Sequence, residues 1–193
     1  LTLSGRDGIV VVKEEGGMTT DQYLYQTEET NRRRELARGM VREPPSPFFS
    51  HQELVLQVAR IIGDHVKPRQ LGRVAIAPLD VILDREQAII LQPDVLFVAT
   101  DRLSIIRDQV WGAPDLVVEV LSSGTEQRDR GEKLAWYRQY GVRECWLVDL
   151  WNTQVTVVDF SGAFPEERVA KGVDTIRSSV LPALQVSAFG LFS

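Results

Sequence analysis

Three features of the chain predict an α/β domain in which a central mixed sheet carries helices on both faces. Two segments, 50–66 and about 124–140, have helical periodicity. The runs QPDVLFVA (92–99) and PDLVVEVLS (114–122) are short and apolar, as in strands covered on both sides. Helical and strand patterns then alternate along the chain, which packs as layers around one core. A length of 193 residues suits a single domain. Residues 18–193 are assigned to it, and residues 1–17, ahead of Met18, to an N-terminal extension.

TTDQYLYQTEE (19–29) reads as a short helix with Thr19 or Thr20 as N-cap and Glu28 and Glu29 near its end. RRRELARGMVREPPSP (32–47) reads as a strand or hairpin stopped by three prolines. In SHQELVLQVARIIGDHV, Leu54, Val58, Ile61, Ile62 and His65 share one helical stripe, and Ser50 with Glu53 fits a capping box. His51, at the start of that helix, is expected at the surface, with proton transfer as its alternative. GRVAIAPLDVILD (72–84) alternates as one strand bent at Pro78. TDRLSIIRDQVWGA leaves room for a turn of helix between the two apolar strands. ECWLVDL and NTQVTVVDF read as strands paired across a tight turn at Trp151 and Asn152.

The charge of −5 argues against a broad basic footprint for nucleic acid but leaves room for a local cleft. Arginines outnumber lysines 18 to four and cluster at 32–34, 102–107 and 128–143. The first cluster is read as a solvated face, whereas Arg128 and Arg130 stand beside the candidate site. No apolar run reaches the roughly 20 residues of a membrane span and the first 20 residues lack a signal-peptide pattern, so a cytoplasmic protein without membrane contact is expected. The single cysteine, Cys145, reads as a small core hydrophobe.

Chemistry is indicated by acids placed among apolar residues. Asp94 opens one buried-looking strand, and Glu119 lies in another whose residues 116–118 and 120–121 are all Val or Leu. A buried acid is costly unless paired. Two of them on neighbouring strands could hold a divalent cation suited to phosphodiester cleavage. The alternatives are a turn-ordering role for Asp94 after Pro93 and a buried salt bridge from Glu119 to an arginine. Strand alternation places Asp115, Val117, Glu119 and Leu121 on one face. Asp115 is a further candidate, with ordering of the turn after Pro114 as its more ordinary role. Ser123 with Glu126 could cap the next helix. On it Lys133 and Tyr137 stand one turn apart and face the strand ends. Lysine loses a proton more readily than arginine, which suits a group acting on water. Phosphate-loop, nucleophile-elbow, HExxH and zinc-spacing motifs are absent from the sequence.

QPDVLFVA followed by GAPDLVVEVLSSGTEQRDRGEKLAWYRQYGVRECWLVD resembles the signature of the Uma family of restriction endonucleases, within the PD-(D/E)xK nuclease superfamily. The resemblance is densest over residues 92–149. It implies a restriction-endonuclease-like fold and a metal-dependent endonuclease, with DNA as partner and Mg2+ as cofactor, Mn2+ substituting. It assigns Asp94 and Glu119 to the ion and Lys133 to the attacking water. The superfamily's strand lysine would fall at 121, which here is leucine, so the helix lysine takes its place. Glu35, in RRRELARG, matches the family's acid before a glycine, and Tyr137 matches a helix tyrosine. A homodimer would let two sites cut two strands. The missing strand lysine and the acidic charge leave an alternative: a catalytically silent nucleic-acid-binding or assembly protein that keeps the fold.

Overall fold

The structure is a computed structural model that describes residues 2–4, 10–13, 17–25, 33–122 and 128–193. Its centre is a six-stranded mixed sheet. The strands are β5 (Gly72–Ile76), β8 (Val95–Ala99), β10 (Leu116–Leu121), β11 (Glu144–Asp149), β12 (Gln154–Asp159) and β13 (Glu166–Lys171), in the order 13-12-11-10-8-5. Only the β10–β11 pair is parallel, and the helix between them supplies the crossover.

Alternation along β10 explains the layers. Leu116, Val118 and Val120 pack with Trp146 and Val148 under α2 (Phe49–Val66) and the C-terminal α4 (Ala188–Phe192). Val117 and Leu121 face the other way, onto Trp136 and Tyr137 of α3 (Leu134–Tyr140). Helices therefore cover both faces, as the sequence predicts. Glu119 belongs to the second face, the only acid in a strand otherwise entirely Val and Leu.

A second sheet, absent from the sequence reading, packs on that same face. It runs β1 (Thr2–Ser4), β2 (Val10–Lys13), β4 (Met40–Glu43), β3 (Glu35–Ala37), β7 (Ile89–Leu91), β6 (Val81–Asp84), β9 (Val110–Trp111). Ala37, Ile89 and Leu91 join the Trp136 cluster. Residues 2–4 and 10–13, outside the predicted domain, thus add two strands at its edge, β2 pairing with β4. The hairpin of β3 and β4 turns at Arg38 and Gly39, both with positive φ (50° and 77°), the two-residue turn that suits strand twist.

Two local expectations are corrected. GRVAIAPLDVILD is not one strand: β5 and β6 lie in different sheets, and the chain crosses between them around Pro78. Ser50 is no cap; α2 starts at Phe49 after Phe48, because Pro47 ends the preceding extended segment. Its buried stripe extends back to His51, which is covered rather than exposed. Thr19 does cap α1 (Thr20–Tyr25), exchanging hydrogen bonds with Gln22. Glu28, Glu29, Ser123 and Glu126 lie outside the described residues. Thr100–Ile105 forms the expected helical turn, here 3-10. Cys145 is fully buried in the core. Among the described residues no helix is long and apolar enough to cross a membrane.

Candidate active site

β8 and β10 are antiparallel with Val95 opposite Val118, so one step along the register sets Asp94 beside Glu119. Both are buried, at 3% and 1% exposure. Asp94 precedes β8, where its Oδ2 accepts from the Val120 backbone N–H at 2.7 Å and its Oδ1 from Arg33 at 2.6 Å. His51 reaches in from α2, its Nε2 3.1 Å from the Val120 carbonyl and 3.5 Å from Asp94 Oδ2. Burial would push Asp94 up, but Arg33 and then His51 outweigh it and hold the carboxyl at about 2.

Lys133 is 2% exposed and is held among three acids. Its Nζ lies 3.0 Å from both Glu119 oxygens, 3.1 Å from Glu35 Oε1 and 3.2 Å from Asp129 Oδ1. Glu35, at the start of β3, also pairs with Arg128 and accepts from the Gln92 N–H at 3.2 Å. The Tyr137 hydroxyl donates to Glu119 Oε1. Asp129 and Lys133 bound a π-helical turn that leads into α3, and the four-residue spacing turns both side chains inward.

The electrostatics follow from counting. Four buried carboxylates (Glu35, Asp94, Glu119, Asp129) meet three permanent cations (Arg33, Arg128, Lys133), so full ionisation leaves one excess negative charge whenever His51, beside Asp94, is neutral. Desolvation opposes a charged Lys133, yet Asp129, Glu119 and Glu35 together raise it above an ordinary lysine. Burial also pushes Glu119 up to about 7, against the pull of Lys133 and with Asp129 and Asp94 adding to the rise. Glu119 is thus the acid that takes a proton. Between about 4.5, its ordinary value, and about 7, the folded state holds a proton that the unfolded chain has released, so raising the pH favours unfolding. Glu119→Gln removes this dependence. Its stability relative to wild type is expected to increase from pH 4.5 to 7.5 in urea titrations at a series of pH values; parallel curves would refute the assignment.

The structure therefore brings together Asp94, Glu119, Lys133, Glu35 and Tyr137. Asp115 stands apart. It precedes β10 at the opposite end, four residues and roughly 13 Å along the strand from Glu119. There it accepts from the Ala99 N–H (2.8 Å) and Arg102 (3.0 Å). Three participants escape the sequence reading. Arg33, assigned there to a solvated face, lies within the site; its two-residue spacing from Glu35 was the available signal. His51, expected at the surface with proton transfer as its alternative, falls on the buried stripe of α2, and Asp129 lies four residues before Lys133 on one helix face. Arg128 is tied to Glu35 and Glu132, while Arg130 approaches Asp149 at 3.6 Å.

The donors are hard carboxylate oxygens, and the excess negative charge suits a divalent cation. Arg33 now bridges the two acids, 2.6 Å from Asp94 and 3.5 Å from Glu119, and stands in as the cation there. Among the described residues no group of three or more His, Cys, Asp or Glu side chains is already placed to hold a metal.

The architecture is shared with a solved structure. It matches the crystal structure of a "putative nuclease belonging to DUF820" from Anabaena variabilis ATCC 29413, with a TM-score of 0.77 and 22% identity, over 91% of this chain and 97% of the other. The family model Uma2, described as "Putative restriction endonuclease", matches residues 20–188, and the chain belongs to that family. None of the curated proteins matches it.

Proposed function

We propose that the protein is a metal-dependent endonuclease that hydrolyses phosphodiester bonds in DNA, with Mg2+, or Mn2+ in its place, held by Asp94 and Glu119. The observation that carries this is Lys133 Nζ buried 3.0 Å from Glu119 with Asp94 alongside, an acid, acid and lysine grouping at the β8–β10 pairing, of which Asp94 and Lys133 line a cavity. When bound, the ion would polarise the phosphate and lower the pKa of water. Three acids keep Lys133 protonated, so it donates a hydrogen bond to the attacking water or a phosphate oxygen instead of removing a proton. Tyr137 and Lys133 fix the rotamer of Glu119. His51 sits against Asp94, where an imidazole can pass a proton toward solvent. A homodimer would pair two such sites on one duplex.

The test combines calorimetric Mg2+ or Mn2+ titration with plasmid nicking, on wild type, Asp94→Ala and Glu119→Gln. Binding and nicking in the wild type that both vanish in the variants support the reading; nicking retained by either variant overturns it. Arg33→Ala should bind the metal more tightly, by about tenfold, since the guanidinium no longer competes for the same oxygens. Equal affinity would mean that Arg33 does not compete. That bridging arginine also favours the second reading, a nucleic-acid-binding protein that keeps the fold without its chemistry. Its signature would be DNA binding indifferent to chelator and to Asp94→Ala.

A further inference from the structure

The candidate site lies in a cavity of about 310 Å³ whose lining also includes Phe48 and Trp151. Both rings are largely exposed, at 80% and 58%, and neither joins a core cluster. Each has a stiff mount. Phe48 sits between the proline-rich segment 44–47 and the first turn of α2. Trp151 is in the turn between β11 and β12, where the Asp149 carboxylate accepts from the Trp151 N–H at 3.1 Å and the Asn152 N–H at 3.0 Å. An exposed ring on a rigid mount gains no burial in the free protein and loses little entropy when something stacks on it.

Three arginines, Arg33, Arg42 and Arg128, also line this cavity, each paired with an acid that a phosphate could replace, since a guanidinium binds either in the same forked way. Aromatic rings beside such arginines are the features that hold single-stranded nucleic acid, through base stacking and phosphate attraction. Duplex bases offer only their edges in the grooves, so a ring can stack on a base face only where that base is unpaired. The volume, at the low end for ligand pockets, has room for about one nucleotide.

We propose that Phe48 and Trp151 form a stacking platform for unpaired bases, so that the strand presented to Asp94, Glu119 and Lys133 is single-stranded DNA, as in a flap, a bubble or a frayed end. This substrate class rests on the nuclease reading above; the binding site does not.

The experiment uses the full chain in chelator, so that no cleavage occurs. Oligothymidine and a blunt duplex are each titrated, following tryptophan fluorescence and the anisotropy of a labelled strand. Trp136 and Trp146 are buried, and Trp111, partly buried in β9, does not line the cavity, so a quench that Trp151→Phe removes reports on Trp151. Oligothymidine should quench and bind more tightly than the duplex. Phe48→Ala and Trp151→Ala should each weaken it roughly tenfold or more, the scale of one lost stack. Trp151→Phe should keep most of the anisotropy change and lose the quench. Duplex binding equal to that of the single strand, or wild-type affinity in both alanine variants, overturns the proposal. Single-strand binding without nicking upon later addition of Mg2+ or Mn2+ upholds the platform and removes the nuclease reading. Metal-dependent nicking of duplex that neither alanine variant alters does the reverse.

Discussion

Glu119→Gln is expected to lower metal-dependent nicking by at least about 10³-fold, the scale of removing one member of a catalytic constellation, while the protein stays folded. The amide keeps the size of the carboxyl group and an oxygen for the Tyr137 hydroxyl and the Lys133 ammonium. Its NH2 replaces the second oxygen that Lys133 meets at 3.0 Å, and removal of the buried negative charge offsets that lost acceptor. A variant that binds no metal, nicks nothing and unfolds in urea at or above the wild-type midpoint at pH 7 would place Glu119 in the chemistry. Full nicking by this variant would remove it.

Lys133→Met is expected to act on the fold itself. The side chain is 2% exposed and serves Glu119, Glu35 and Asp129 at about 3 Å, so methionine would fill its volume but leave three acids facing one another. Removing one partner from a buried ionic cluster costs about 3–5 kcal/mol. Urea unfolding should show a lowered midpoint with an unchanged slope. Added Mg2+ should restore part of the loss by supplying positive charge to the same acids. A midpoint equal to that of the wild type, with or without metal, would show that the acids relax by taking up protons instead.

Periodicity made the central layer legible. The stripe of α2 and the Val and Leu runs of β8 and β10 are long, regular signals, and they locate both Asp94 and Glu119. The resemblance added Glu35, whereas Lys133 was already legible from its place on the helix after β10. The second sheet was illegible because its strands are only two to four residues long, too short for alternation to register, and because β6 runs on from β5 without a break in composition. Asp115 shares a strand face with Glu119, but a face extends the full length of the strand, and alternation alone does not show that the two acids lie roughly 13 Å apart. Arg33 was hidden within a cluster of like charges. Three adjacent arginines look like surface until the fold shows which one points inward.

The π-helical turn at Asp129–Lys133 has a bearing on how such a site could arise. A turn of this kind is an α-helix with one residue inserted, and each residue advances an α-helix by about 100°. Lys133 and Tyr137 follow the phase of α3, whereas Arg128 and Asp129 follow the phase set before the insertion. Loss of one residue at Gly131 would keep the lysine and tyrosine on Glu119 and swing the arginine away from Glu35. The same shift would carry Asp129 off Lys133, which it meets at 3.2 Å, so the extra residue sets arginine, aspartate and lysine on the buried acids together.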